Sequence, residues 1–396
     1  MPTDTTDPQE IFSRLYEKKC VLDKNQQWKT MFMRMKTFET AKKLVMKPFL
    51  MSIVQRLNFK RVRPGQQKNV MLLRADGNRM GTDAAVHVHL PKVNRHFIAG
   101  SVGSNSVQNF WNIVHEHNVP GIVSFNQDVE DENHSTILYF PKIVGKTKSF
   151  GKFTIKCTAA QNCGSYWKRT LTVINTEDKD ECVEIPHFQY MDWPDSFVPR
   201  EVSDFLSFYD VVRESNILTP MKTTCFLGGR TGAPIIFSRN RKGRPGSFIM
   251  IDYLIRMIED GVKDQFNVER LIVLMRRQFY DSIKTVVQLQ FVYNSVIQWI
   301  LNRYPQFETL KPGIEAFAAT LTPVVNRKTQ NYFRPGKWPI NEKKRKVWLA
   351  KHYPIIEGKT EKENDGEKRK KEDAKQSENK DSSNQDQDFT DKKRLL

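Results

Sequence analysis

The sequence predicts an α/β fold, on three observations. Residues 28–59 read as helical. Residues 69–172 shift to short apolar or β-branched runs broken by polar turns. After residue 245 a helical period returns, entered directly from the apolar run at 234–237. Such a strand-to-helix step is the unit from which sheets covered by helices are built.

Taken in order, Trp28 to Phe59 places Phe32, Met35, Phe38, Leu44, Val45, Phe49 and Ile53 among Lys, Arg and Gln. Gly121 to Phe125 and Phe153 to Cys157 are short apolar runs of strand type, and Tyr166 to Ile174 alternates cleanly enough to be a strand. Ile251, Leu254, Ile255 and Ile258 share one helical face. Val268, Leu271, Ile272 and Met275 share another, with Asn267 placed to cap it. Val292, Val296, Trp299 and Ile300 form a third stripe. These stripes are core-facing surfaces, not cofactor sites, and the sequence shows no internal repeat.

Of the 396 residues, 39% are hydrophobic and 27% charged, enough for one large domain or two smaller ones. No run of about 18 apolar residues suggests a membrane span, and the polar stretch from Met1 to Glu10 lacks a signal-peptide apolar region. Five irregularly spaced cysteines (Cys20, Cys157, Cys163, Cys182, Cys225) show no metal-ligand spacing. They suggest free thiols in a reducing, cytoplasmic or nuclear setting.

The net charge is +18, and from Glu357 to Leu396 eleven basic residues face twelve acidic ones, so the excess sits upstream of residue 357. Such a surface favours anionic partners, although charge alone names none. Beyond residue 357 almost no large apolar side chain remains, and disorder is expected. Lys343 to Lys346 and Lys368 to Lys371 are short basic runs of the nuclear-import type, a pattern that solvated surfaces also produce.

Six segments in order carry a resemblance. His187 to Asp195, followed by Val198 and Pro199, matches H-F-Q-Y-x-x-W-P-D-x-G-V-P. Tyr166, Arg169, Leu171 and Val173 match the strand before it. Asn105, Ser106, Phe110 and Trp111 match N-T-x-x-x-F-W. Tyr139 to Pro141 stands for Y-W-P, and Lys68, Asn69, Asp76 and Arg79 for K-N-R-Y…D-x-x-R. The sixth segment is Pro234 to Phe248, parallel to P-V-V-H-C-S-A-G-x-G-R-T-G-T-F. Together, over residues 28–305, they resemble the classical protein tyrosine phosphatases. The resemblance implies a twisted mixed β-sheet flanked by helices on both faces. It divides the chain into a 1–27 extension, a 28–305 phosphatase-like domain, a 306–356 extension and the 357–396 charged tail.

Two stretches compete for the phosphate-binding loop. Cys225 and Arg230 are separated by four residues, one short of the family pattern, with neither an apolar strand before nor a helix after. Ser238 and Arg244 are separated by five, with both. The second alignment is preferred. It implies that the nucleophile position holds Ser238, the general-acid position Asp195, the water-positioning position Lys284 and the phosphate clamp Arg244. Arg239, Asn240, Arg241, Lys242 and Gly243 complete the loop, and Trp193 and Pro194 belong to the acid loop.

In the family a cysteine thiolate attacks phosphotyrosine, stabilised by loop amides and a helix N-terminus. A serine hydroxyl is essentially un-ionised at neutral pH. Bulky Arg239, Asn240, Arg241 and Lys242 replace small loop residues, and Pro245 replaces the usual hydroxyl residue, removing a backbone donor. Phe237 stands where a histidine is usual, Met71 at the aryl wall, and Asp131 where a lysine often lies; Gln288 matches the second glutamine of its segment.

The expected function is therefore a catalytically inactive phosphatase-like protein, a scaffold or competitor in phosphotyrosine signalling with phosphoproteins or signalling proteins as partners. An alternative is a module that holds phosphotyrosine or another anion without cleaving it. Further alternatives are a working phosphatase with Cys225 as nucleophile, and a nucleic-acid or acidic-lipid binder. Nucleic acid is disfavoured, because interleaved aromatics and a reading motif are missing. No metal or organic cofactor is implied, since the family's chemistry uses none.

Overall fold

Four parallel strands at the centre of a nine-stranded mixed sheet place the site. The computed structural model describes residues 8–24, 26–40, 69–73, 79–90, 93, 95–101, 107–126, 129–131, 134–135, 138–177, 182–219, 232–239, 243–262 and 266–320. All of them lie in one unit, residues 1–339; the second unit, 340–396, including the charged tail and both basic runs, falls outside the described residues. So do 220–231, with the Cys225 to Arg230 alternative, and 240–242.

Helices α1 (Pro8–Lys24) and α2 (Trp28–Thr40) come first. The helix expected over 28–59 is thus found over its first part, and 41–59 lies outside the described residues. Strands β1 (Asn69–Leu73), β2 (Arg79–Leu90) and β3 (Arg95–Gly100) lead to helix α3 (Val107–Glu116) and strand β4 (Ile122–Ser124). A two-stranded ribbon, β5 (Val129–Asp131) with β6 (His134–Ser135), precedes β7 (Thr147–Phe150), β8 (Phe153–Asn162), β9 (Tyr166–Asn175) and β10 (Cys182–Tyr190). Then come α4 (Val202–Glu214), β11 (Ile235–Phe237), α5 (Gly243–Glu259), α6 (Val268–Gln278) and α7 (Val286–Arg303). A 3-10 helix (Pro305–Leu310) joins α8 (Lys311–Thr320).

The sheet order is β1-β2-β3-β11-β4-β10-β9-β8-β7. Strands β3, β11, β4 and β10 run parallel, and the flanks are antiparallel. In β11 all three residues are buried, as a central strand covered on both faces requires. Its side chains alternate: Ile236 joins one apolar layer, with α1, α2 and α4 to α7, while Ile235 and Phe237 join the other, with α3. Helices therefore cover both faces of the sheet.

Helix α5 differs from a simple amphipathic stripe. Nearly every residue from Gly243 to Ile258 is buried, because α5 runs between β3, β11, α6 and α7. Its single acid in that stretch, Asp252, is fully buried, accepts a hydrogen bond from Tyr209 Oη (3.0 Å) and forms an ion pair with Arg95, whose Nε lies 3.1 Å from a carboxylate oxygen. One carboxylate thereby ties β3 and α4 to α5. Asn267 caps α6 as its position suggests, accepting from the Arg270 amide at 2.8 Å.

At the other edge, α1 packs along α7, α8 and the 3-10 helix, burying Ile11, Phe12, Leu15 and Leu22. Phe12 stacks with Tyr16 and meets the Phe307 ring at 5.6 Å. Tyr16 donates to Glu315, and Lys24 to the Ala319 carbonyl. Among the described residues no helix is long and apolar enough to cross a membrane.

Candidate functional site

The site grows from the C-terminal end of β11, where the strand hands over to α5. Ser238, 1% exposed, continues the ladder by donating its amide to Gly100 O at 3.3 Å. The next amide, of Arg239, is caught by the side chain of Asn126 at 2.5 Å, which follows β4. Residues 240–242 lie outside the described residues, and the chain is helical from Gly243. Gly243 leaves room for Gln288: a Cβ there would lie 2.7 Å from its side-chain amide oxygen, and the glutamine would have to shift. Pro245 falls in the first turn of α5, where its missing N–H costs no helical hydrogen bond.

Arg244 is buried in that first turn. Its Nη1 donates to the Trp193 carbonyl at 3.0 Å, and its Nη2 stands 3.7 Å from an Asp195 carboxylate oxygen. The Arg244 guanidinium therefore reaches the segment that carries the candidate acid. Trp193 anchors that segment. It is fully buried, packs edge-on against Phe125, Phe205 and Phe291, and donates Nε1–H to Phe197 O at 2.9 Å. Beyond it, Pro194 is buried, Asp195 is 31% exposed at its side chain, and Ser196 adopts a positive φ of 64° at the turn. Two bonds from the start of α7 fix the turn: Thr285 Oγ1 donates to Ser196 O (3.1 Å) and Gln288 Nε2 to Phe197 O (3.2 Å). Gln288 also accepts from the Lys284 amide at 2.9 Å. One glutamine thus backs Gly243, braces the 193–198 segment and positions the Lys284 backbone.

Behind the loop runs a buried polar chain. Arg169 Nη1 donates to Gln189 Oε1, and Gln189 Nε2 to Asn126 O, each at 2.9 Å. The Arg169 guanidinium lies over the rings of Trp167 (4.6 Å) and Phe140 (5.1 Å). His187 is completely buried against the Tyr139 hydroxyl; burial, with the Arg169 charge adding to it, holds its pKa well below the usual histidine range. Phe237 fits this environment, since it packs against Phe110 and Tyr139 at 5.2 and 5.1 Å.

The structure thus brings together Ser238, Arg239, Gly243, Arg244, Trp193, Pro194, Asp195 and the Lys284 backbone. Met71 lies on β1 and Asp131 on β5, but their side chains are outside the described residues, as are Asn240, Arg241 and Lys242. Sequence reasoning missed Asn126 and Thr285. Asn126 offers only a polar residue closing a buried run, and Thr285 only the cap position of α7, where it accepts from the Gln288 amide. Among the described residues no group of three or more metal-ligating side chains is arranged around an ion site.

A strand-to-helix loop at the ends of parallel strands, with an arginine in the helix's first turn facing a Trp-Pro-Asp turn, marks an α/β domain of phosphatase type. A family profile described as protein-tyrosine phosphatase matches residues 58–298, and the chain belongs to that family. Among its relatives is "Tyrosine-protein phosphatase non-receptor type eak-6" of Caenorhabditis elegans, 27% identical over 298 residues, covering 71% of this chain and 72% of that protein. "Protein sdf-9" of the same organism is 25% identical over 318 residues, 76% of this chain and 91% of that protein. "Tyrosine-protein phosphatase non-receptor type 2" of Mus musculus is 30% identical over 198 residues, 49% of this chain and 45% of that protein.

Proposed function

We propose that this family member does not hydrolyse phosphotyrosine and works through its surface, as a scaffold or competitor in phosphotyrosine signalling. The observation that carries this reading is Ser238. It follows the central strand, separated from Arg244 by five residues, where the family's chemistry needs an ionised sulfur. An alcohol is not ionised near neutral pH even beside a helix N-terminus, so the reading assigns Ser238 no nucleophilic role. Two further features support it. Arg244 engages the protein's own Trp193 carbonyl and Asp195 carboxylate, and Lys284 occupies the position assigned to a water-orienting glutamine.

Assay with a phosphotyrosine peptide tests this reading. No turnover above the uncatalysed background is expected. Ser238→Cys is expected to remain about 10²-fold or more below an active domain, because the loop, water-positioning and aryl-wall changes remain. Turnover by the wild type, abolished in Cys225→Ser, would overturn both the loop assignment and the proposed inactivity.

A second reading retains phosphotyrosine or another anion as a held ligand, with Arg244 and Arg239, Asn240, Arg241, Lys242 and Gly243 as the cradle. It is supported by the start of α5 at Gly243, which directs a helix N-terminus toward the loop. Calorimetric binding of the phosphopeptide that disappears in Arg244→Ala would favour this reading over the scaffold.

A further inference from the structure

We propose that the turn Ile143 to Lys146 docks this protein onto an anionic membrane surface, independently of the site around Ser238. From Leu138 to Thr176 the chain has no Asp or Glu and, besides the buried Arg169, carries Lys142, Lys146, Lys148, Lys152, Lys156 and Lys168. Residues 143–149 are exposed without interruption. Within them stand two adjacent aliphatic side chains, Ile143 at 65% and Val144 at 48% exposure. Scattered exposed hydrophobics are ordinary, but a paired projection flanked by lysines is not.

The turn cannot withdraw these side chains. Lys146 N donates to Ile143 O (3.2 Å), Gly145 N to Cys157 O (2.8 Å), and Cys157 N to Lys146 O (3.2 Å). Gly145 supplies the φ of +83° that such a turn needs at its third residue. Behind the turn, Tyr139, Phe140 and Pro141 are buried, and Trp111 Nε1 donates to Tyr139 O at 2.8 Å. The tip is therefore held outward from a rigid base.

Lysines lie on both faces of the adjoining hairpin, since Lys148 is in register with Ile155 and Lys156 with Thr147. Lys152 pairs with Glu177 at 3.5 Å, at the far end of the hairpin from the tip. Edge protection accounts for a lysine on β7, because charged edges resist unwanted strand pairing. It does not account for the apolar pair. An exposed aliphatic pair flanked by lysines fits a bilayer, where apolar side chains enter the interface while lysines meet anionic headgroups. An acidic protein would satisfy the lysines alone.

Co-flotation of the full chain with phosphatidylcholine vesicles, with and without phosphatidylserine, tests the proposal. Flotation is expected only with the anionic vesicles and should weaken as salt rises. Ile143→Asp combined with Val144→Asp should lower the partition coefficient about tenfold or more, and Lys142→Gln with Lys146→Gln should lower it and flatten the salt dependence. The aspartate pair should keep the wild-type circular dichroism and melting temperature, because Ile143 and Val144 are exposed. Absence of flotation, equal flotation without phosphatidylserine, or flotation unchanged by the aspartate pair would overturn it. So would tight binding to soluble polyglutamate that the aspartate pair weakens equally, which would assign the tip to an acidic protein.

Discussion

Arg244 joins two segments far apart in sequence, and its removal should be felt in both. Arg244→Ala leaves the Trp193 carbonyl without its buried donor, a loss of about 1–3 kcal/mol in urea unfolding. Arg244→Lys keeps the charge but not the planar fork, and should recover only part of that loss. His187 makes a pH-dependent contribution. Its folded pKa lies below the ordinary 6.5, so below that pH the unfolded chain takes up a proton that the folded chain refuses. Stability should therefore fall as pH drops, by up to about 1.4 kcal/mol per pH unit from this residue. His187→Gln should lose less stability than wild type between about pH 7.5 and pH 5.5. At this scale the sequence exposed the ends of each interaction but not the joins. Motif and spacing picked out Arg244, Trp193 and Asp195. Asn126 bonds the Arg239 amide across a gap of 113 positions, and no local pattern encodes that.

Elements were more legible, because apolar period and capping are local. The strand at Tyr166–Asn175, the cap at Asn267 and the strand-to-helix step into Gly243–Glu259 all follow from pattern. What pattern could not give is that α5 is buried all round, since that depends on which helices arrive later in the chain. The approach of α5 to the loop before α7 is close enough to test. A Cβ on Gly246 would lie 2.6 Å from Ser282 Cβ and 2.9 Å from Ile283 N. Asp281 and Ile283 already hold positive φ values of 60° and 55°, so that loop has little room to yield. Helix propensity favours alanine by up to about 1 kcal/mol. A net loss of about 1–3 kcal/mol in Gly246→Ala would therefore report the clash, and unchanged stability would refute it. Thr285→Ala removes both the α7 cap and the bond to Ser196 O; about 1 kcal/mol should be lost in urea unfolding.

At the scale of the whole molecule, the mixed sheet with helices on both faces followed from the family resemblance. The helix over residues 8–24 did not, although Ile11, Phe12, Leu15 and Leu22 sit at helical spacing, because its partners lie about 300 positions downstream. Phe12 is fully buried against Tyr16 and Phe307, so Phe12→Ala should cost about 3–5 kcal/mol. That is a large share of the stability typical of a domain. A melting temperature unchanged in this variant would show that the clasp carries no weight. The same clasp bears on synthesis. Tyr16 and Glu315 are 299 positions apart, and ribosomes add about 5–20 residues per second. Helix α1 must wait roughly 15 to 60 s for the surface that shelters it. During that interval its apolar stripe is open to chaperones, and the nascent protein cannot close until nearly all of this domain has been translated.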